Sequence, residues 1–407
     1  MIGTNISYGM AFRQRNANIK NISHTGIDVN VVEIDLTSNM IELIGDLEFS
    51  NYTKLNSLML SQNRIRYFSP SALNGTSLER IDLTYNMLSE MPDFTYVGQT
   101  VRRIDLRFNR ITDIGRSSDL FVLEELLLAR NRFTHFPNVP GQNSLQLLNL
   151  NSNRISLISN HTLNFSRLKD LRLAYNKLTR LPQMFSIFGH SLTKLILSYN
   201  GFTGDNMEVL NNLTYLMNLD LSYNPFITLP DLSGAGKYAA KPALYLQGIM
   251  PTLSAFNNCS ITHFYTLNLQ NNDMYDFPDL SSCLTDGTFK LRNYNLSENH
   301  LSERSNITRL GVFEKLSMHY EIYLSSNDYA KLPSFPASML NKLRALDLRN
   351  NKFDFIDTLR LNEMICNIPR WFRMIFSSRK NTYLQPDISP SGCWRKKQTK
   401  IEFIQVS

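Results

Sequence analysis

One apolar ladder, L-x-x-L-x-L-x-x-N-x-L, runs through this chain thirteen times. It ends at Asn39, Asn63, Asn86, Asn109, Asn131, Asn153, Asn176, Asn200, Asn224, Asn272, Asn299, Asn327 and Asn351. Successive intervals are 24, 23, 23, 22, 22, 23, 24, 24, 48, 27, 28 and 24 residues. The interval of 48 is two periods, and Ile249 stands where its middle asparagine is expected. A fixed period of this size leaves few folds open. Each copy is one supersecondary unit that can bury its apolar side only against the copies before and after it.

Each letter has a physical reason. The L-x-L core alternates with period two, so it is a short strand with apolar residues on one face and variable residues on the other. One strand per repeat, always in the same direction, stacks into a parallel sheet, and the rest of the repeat supplies the crossover that parallel pairing requires. The asparagine amide both donates and accepts, so it can pair with backbone groups of its own coil and of a neighbour.

From Val31 to Phe353 these repeats resemble leucine-rich repeats. The resemblance implies an α/β solenoid: a leucine-rich repeat horseshoe with a parallel concave β-sheet, about 14 repeats, one of them degenerate, and a partial C-terminal cap. An apolar residue followed by proline recurs in the second half of the repeats, at Met91, Phe136, Leu229, Phe277 and Leu332. This resembles the extracellular subclass found in receptor ectodomains and secreted matrix proteins. The expected organisation is an N-terminal segment or degenerate cap at 1–30, a solenoid at 31–353 that is irregular at 227–260, and a C-terminal flanking cap with a basic tail at 354–407. Within the irregular part, Gly234 to Leu253 reads equally as a decayed repeat keeping Leu244 and Leu246, or as a bend or inserted loop.

Net charge separates the tail from the repeats. The chain carries +7, of which Leu361 to Ser407 contributes +5, leaving +2 for the repeats. A nucleic-acid-binding solenoid would carry its basic excess on the repeats, so no nucleic-acid partner is expected and "RKKQTK" reads as a solvated tail. No stretch has the apolar length of a transmembrane helix. The opening "MIGTNISYGMAFRQRN" lacks the apolar run of a secretory signal. An extracellular chain of this sequence would therefore be a mature or trimmed ectodomain.

Sequons and cysteines favour that compartment. Asn-x-Ser/Thr occurs at Asn5, Asn21, Asn51, Asn74, Asn160, Asn164, Asn212, Asn258, Asn295 and Asn306. Asn51, Asn74, Asn164 and Asn212 each lie four residues before the first leucine of the next ladder, on the outer half of the coil. Cys259 and Cys283 are 24 residues apart, one repeat length, which places them on neighbouring coils within reach of a disulfide. Two buried free thiols fit that spacing as well. "LRLNEMICNIPRWFRMIF" resembles the C-terminal cap of extracellular leucine-rich repeat proteins. The resemblance implies a final short strand, then Cys366 bonded to Cys393, then a helix carrying Trp371, Phe372 and Phe376 over the open end of the stack.

Catalytic chemistry has no foothold. The seven histidines show no ligand spacing, the lone G-x-G-x-x-A at Gly234 to Ala239 lacks its βαβ context, and no nucleophile has a base. Neither an enzyme nor a cofactor is expected. The resemblance instead puts the variable strand positions on the concave face as the recognition surface. There Arg80, Asp82, Arg103, Asp105 and Arg107 form a charged block. Leu127 and Leu147 follow as an apolar strip, then Asp170, Arg172, Lys194 and Ile196. Asn295 shares the middle column, so a glycan there would direct partners to the earlier repeats. Two functions compete. One is an extracellular binding protein, a receptor ectodomain or secreted adhesion or recognition protein of the Toll-like receptor kind, recognising a protein or microbial ligand. The other is a cytoplasmic scaffold or regulatory subunit docking an intracellular protein.

Overall fold

In the computed structural model the described residues are 10–403, apart from 25, 116–119, 140–142, 160–164, 250–258, 281–289, 316–318, 354–356, 370–371 and 377–399. The chain forms two compact units, Met1–Asn200 and Gly201–Ser407.

Unit 1 is a parallel solenoid. Its strands are Ala11–Arg13, Glu33–Asp35, Ser57–Met59, Arg80–Asp82, Arg103–Asp105, Glu125–Leu127, Leu147–Asn149, Asp170–Arg172 and Lys194–Ile196. Each pairs in parallel with the next, and the central residues Ile34, Leu58, Ile81, Ile104, Leu126, Leu148, Leu171 and Leu195 stay in register. These residues, with Leu36, Leu60, Leu83 and their counterparts, are fully or almost fully buried. Burying a leucine or isoleucine side chain contributes about 1.5–3 kcal/mol, and the repeat places several in every coil. The first strand lies in what the sequence suggested was a cap. Ala11–Arg13 pairs with Glu33–Asp35 one period later, so residues 10–19 form one further coil with Ala17 at the asparagine position.

The ladder asparagines do what their chemistry predicts. Asn109 Nδ2 donates to Leu83 O of the preceding coil (2.9 Å) and to Leu106 O of its own (3.1 Å). Its Oδ1 accepts from Leu88 N, also in the preceding coil (3.1 Å). Asn63, Asn86, Asn131, Asn153 and Asn176 repeat this pattern. The residue before each asparagine adopts a left-handed conformation, as at Gln62 (φ 55°), Phe108 (φ 58°) and Tyr175 (φ 55°). Such a conformation costs a non-glycine residue on the order of 1–2 kcal/mol, and the asparagine bonds made at the same turn offset it.

Unit 2 follows the same plan with longer repeats. Its strands are Asn218–Asp220, Ala243–Tyr245, Thr266–Asn268, Asn293–Asn295, Tyr320–Tyr323, Leu343–Asp347, Arg373–Phe376 and Lys400–Phe403. Ala243–Tyr245 settles the irregular stretch as a decayed repeat. Leu244 sits in register with Leu219 and Leu267, and Leu246 is fully buried. Ile249 replaces the asparagine and is itself buried, and its N–H is taken by Asn272 of the following coil (2.7 Å). Gly248 holds the left-handed position (φ 58°) because a Cβ there would collide with the Tyr223 ring. Gly234 is equally a packing residue, since its Cβ would strike the Asn211 carbonyl. Gly236, the second glycine of the G-x-G-x-x-A phrase, has φ 70° and a Cβ there would meet Leu216 O at 2.6 Å.

The C-terminal order differs from the expectation. A helix comes first, Thr358–Asn367, with Cys366 in its last turn, and the strand Arg373–Phe376 follows it. Asp357 caps the helix by accepting from Leu359 N (3.0 Å) and Arg360 N (3.2 Å). Leu361, Met364, Ile365 and Ile368 then recur at helical spacing and are buried. Phe372 and Phe376 are buried as expected, but they belong to the strand and its approach rather than to a helix. Trp371 lies outside the described residues. Arg373–Phe376 pairs in parallel with Leu343–Asp347 and with Lys400–Phe403, so the sheet continues where the sequence suggested a cap.

Candidate binding face on the first unit

The variable positions of the unit 1 strands share one face of its sheet. Parallel register brings the same position of adjacent coils about 4.8 Å apart, close enough for side chains to pair along a column. Many do. Arg13 meets Glu33 at 2.9 Å, and Arg15 donates to Asp35 at 2.6 Å. Burial of Asp35 opposes its charge, yet the bonds from Arg15 and Thr37 leave its carboxyl below the usual carboxylate range. Arg107 grips Asp105 with two bonds of 2.8 and 2.7 Å, which raises its own pKa. Arg172 holds Asp170 in the same fork, with Lys194 3.7 Å away on the other side. Arg103 pairs with Glu125 and lies 3.8 Å from Asp105.

Of the charged block expected to bind, Asp105, Arg103, Arg107, Arg172 and Lys194 are thus engaged with one another or with close neighbours. Arg80 is the exception. It is exposed, and among the described residues its guanidinium makes no ion pair or side-chain hydrogen bond. Asp82 beside it accepts only from Thr84 N (2.9 Å). Arg80, Asp82, Arg103, Asp105 and Arg107 share an open depression of about 740 Å³ with Glu33, Ser57 and Met59. The sequence reading had missed those last three, which stand on earlier strands. Met59, apolar between Asp35 and Asp82 in the same column, was the available signal.

The apolar strip is narrower than expected. Leu127 is 6% exposed, because Asp105 and Asn149 stand beside it in the neighbouring strands and cover it. Leu147 and Ile196 remain half-buried, separated from each other by Asp170. The structure brings the charged block together in one depression and leaves Leu147, Arg172, Lys194 and Ile196 beyond its rim.

Among the sequons, Asn21, Asn51, Asn74, Asn212 and Asn306 are exposed. Asn295 is half-buried on the unit 2 strand face and donates to Gln270 Oε1 (3.2 Å). Asn5, Asn160, Asn164 and Asn258 lie outside the described residues. Cys259 and Cys366 are each disulfide-bonded, while Cys283 and Cys393 lie outside the described residues. Among the described residues no cluster of His, Cys, Asp or Glu could hold a metal ion, and no helix is long and apolar enough to cross a membrane.

Two sequence profiles, both described as leucine rich repeat, match residues 29–88 and 99–118. The chain is 24% identical to Toll-like receptor 9 of Sus scrofa over 357 residues, covering 83% of this chain and 32% of that protein. It is 29% identical over 165 residues to Tsukushi of Gallus gallus, covering 40% of each. It is 28% identical over 153 residues to a protein phosphatase 1 regulatory inhibitor subunit PPP1R7 homolog of Arabidopsis thaliana, covering 37% of this chain and 46% of that one. The chain therefore spans less than half the length of these relatives. Among solved structures, a leucine-rich repeat protein of Leptospira interrogans superposes with a TM-score of 0.65 at 21% identity, covering 96% and 95% of the two chains. A chain from a TLR13–ssRNA13 complex does so with a TM-score of 0.59 at 20% identity, covering 89% and 55%. At these identities the likeness is one of fold.

Proposed function

We propose that this leucine-rich repeat protein, which resembles Toll-like receptor ectodomains, works outside the cell and captures a protein ligand, of self or microbial origin, on the strand face of unit 1. The observation that carries the reading is the depression around Arg80. Every other arginine bordering it is already paired, whereas Arg80 stands beside Met59 with no counter-charge of its own. An arginine beside an apolar floor can anchor a partner, because a ligand carboxylate pairs with it bidentately while the rim excludes water. The activity proposed is recognition.

Extracellular placement draws support from the bonded Cys259 and Cys366, since disulfides persist in oxidising compartments. We assign their partners as Cys283 and Cys393. Exposed sequons at Asn51, Asn74, Asn212 and Asn306 add to this. A glycan on Asn295 would cover the strand face of unit 2 and leave that of unit 1 open. The competing reading, a cytosolic docking subunit, draws on the likeness to the phosphatase regulatory subunit homolog.

One experiment separates the two. The chain is fused to a secretory signal, expressed in animal cells and treated with a glycan-releasing amidase. The secreted product is then screened against an array of extracellular proteins. Secretion is expected, with asparagine converted to aspartate at Asn51, Asn164 and Asn212. A captured protein should be lost when Arg80→Glu and Met59→Glu are introduced together, with the circular dichroism spectrum unchanged. Retention in the cell with every sequon empty favours the cytosolic subunit. Loss of capture on Tyr96→Glu, away from the strand face, sinks the binding-face assignment.

A further inference from the structure

The turn that follows each ladder asparagine forms an edge of unit 1, and its first position has an unusual composition. From the coil of Asn63 to that of Asn176 it holds Arg64, Met87, Arg110, Arg132, Arg154 and Lys177. The five cations are exposed, and among the described residues none makes an ion pair or side-chain hydrogen bond. Arg66, Arg130 and Arg180, on the same turns, are also exposed and without ion pairs. The acidic residues on these turns are Glu90 and Asp113, neither of which pairs with a cation. At about 4.8 Å per coil, five steps carry the row over roughly 24 Å. Like charges held at that spacing repel one another, and a single bound anion would relieve only part of the row.

We propose that this edge binds a linear sulfated polysaccharide lying along the stack. A polymer with anions at regular intervals is the complement of a row with a cation on five of six successive coils, four of them consecutive. Guanidinium groups, weakly hydrated and forked, suit sulfate and carboxylate oxygens. The adjoining aromatic residues help to decide against a single-stranded nucleic acid. Such a ligand needs free ring faces for its bases. Here Tyr85 and Phe108 stack on each other at 3.9 Å, Arg130 covers Phe108 at 5.1 Å, and Tyr175 and Tyr199 stack at 4.0 Å. Each ring thus has one face taken by a neighbour, and Phe108 has both covered, so the rings brace one another more than they offer a continuous platform for bases. This edge is separate from the strand face around Arg80, so the two sites stand or fall independently.

The test uses the full chain and a heparin dodecasaccharide, titrated at two salt concentrations. Arg395, Lys396, Lys397 and Lys400 are first changed to glutamine in all proteins, so that the basic tail is not the binder. In that background the reversal Arg110→Glu, Arg132→Glu, Arg154→Glu should weaken binding by at least about tenfold and flatten its salt dependence. The same charge change at Lys20, Arg167 and Lys169 should alter affinity by no more than about twofold, a non-specific field effect. Glutamine at the three edge positions serves as a second variant if the reversal does not fold, and it should show the same direction. Edge variants that bind heparin like the parent overturn the proposal. So does complete loss of binding from the tail substitutions alone. If a single- or double-stranded oligonucleotide of matched charge binds the edge more tightly than the glycan, the surface is a nucleic-acid site and the glycan assignment fails.

Discussion

The same turn position is used in opposite ways by the two units. In unit 2 the residue after the ladder asparagine is Pro225 and then, in the last four coils that keep the asparagine, Asp273, His300, Asp328 and Lys352. These four close on one another. His300 lies 3.6 Å from Asp273 and 3.2 Å from Asp328, and Lys352 lies 2.7 Å from Asp328. In unit 1 the position holds Arg64, Arg110, Arg132, Arg154 and Lys177, with no carboxylate among them. Backbone geometry is common to both edges, so the difference resides in the side chains alone. A column in which carboxylates alternate with groups that can donate to them satisfies itself. A column of one sign keeps its electrostatic capacity for something that arrives from outside.

Both edges are built on the same kind of asparagine-bonded turn, and breaking those bonds should have the largest effects. Asn109→Ala in unit 1 strands Leu88 N and the carbonyls of Leu83 and Leu106, at a cost of about 1–3 kcal/mol. Asn299→Ala in unit 2 should cost more, towards the upper end of that same range, because its Oδ1 accepts from both Asn272 N and Met274 N, each at 3.0 Å. Chemical denaturation of the two variants checks the order. If Asn299→Ala unfolds later than Asn109→Ala, the turns are not equivalent and the edge comparison loses its basis.

A second difference should show in pH. His263 of unit 2 is buried with Nε2 donating to Ala235 O (2.7 Å), and desolvation holds its pKa below the ordinary histidine value. An unfolded chain takes up a proton near pH 6.5 that the folded chain refuses. Stability is therefore full above the histidine range and falls as the pH drops through it, towards the depressed folded pKa. Thermal melts between about pH 7.5 and 5.5 should show this decline for the parent. His263→Gln, which keeps a donor for Ala235, should flatten it. An unchanged slope in that variant would assign the decline to other groups.

The smallest expected effects are at the edges themselves. A double-mutant cycle on Lys352 and Asp328 should give a coupling of roughly 0.2–1 kcal/mol, as for other exposed pairs. Arg132→Ala should leave stability within about 0.5 kcal/mol, since it touches no counter-ion. Should Arg132→Ala prove more costly than Lys352→Ala, the unit 1 row has a structural role and the contrast drawn above weakens.

How much of this was legible in the sequence follows from what each feature depends on. Strand positions and asparagine bonds depend on local spacing, so the ladder gave them directly, down to the decayed coil around Leu244. The order of elements after Phe353 was misread because L-R-L resembles a strand. Asp357 as a cap and the spacing of Leu361, Met364, Ile365 and Ile368 were the better signals, and both were present. Leu127 was taken for exposed because its cover comes from Asp105 and Asn149, residues more than 20 positions away. Net charge hid the unit 1 edge. A sum of +2 over the repeats says nothing of a column that holds five cations, while Asp35, Asp105 and Asp170 are spent in pairs on the strand face.

Every ladder asparagine whose bonds cross between coils reaches backwards. Asn63 binds Leu36 O, Asn131 binds Leu106 O, Asn327 binds Leu296 O, and none of them reaches into the coil that follows. Each coil is thus closed by its successor, and the stack has a grain like that of overlapping roof tiles. A chain built N terminus first would therefore have the turn of each coil latched only once the next repeat is in place.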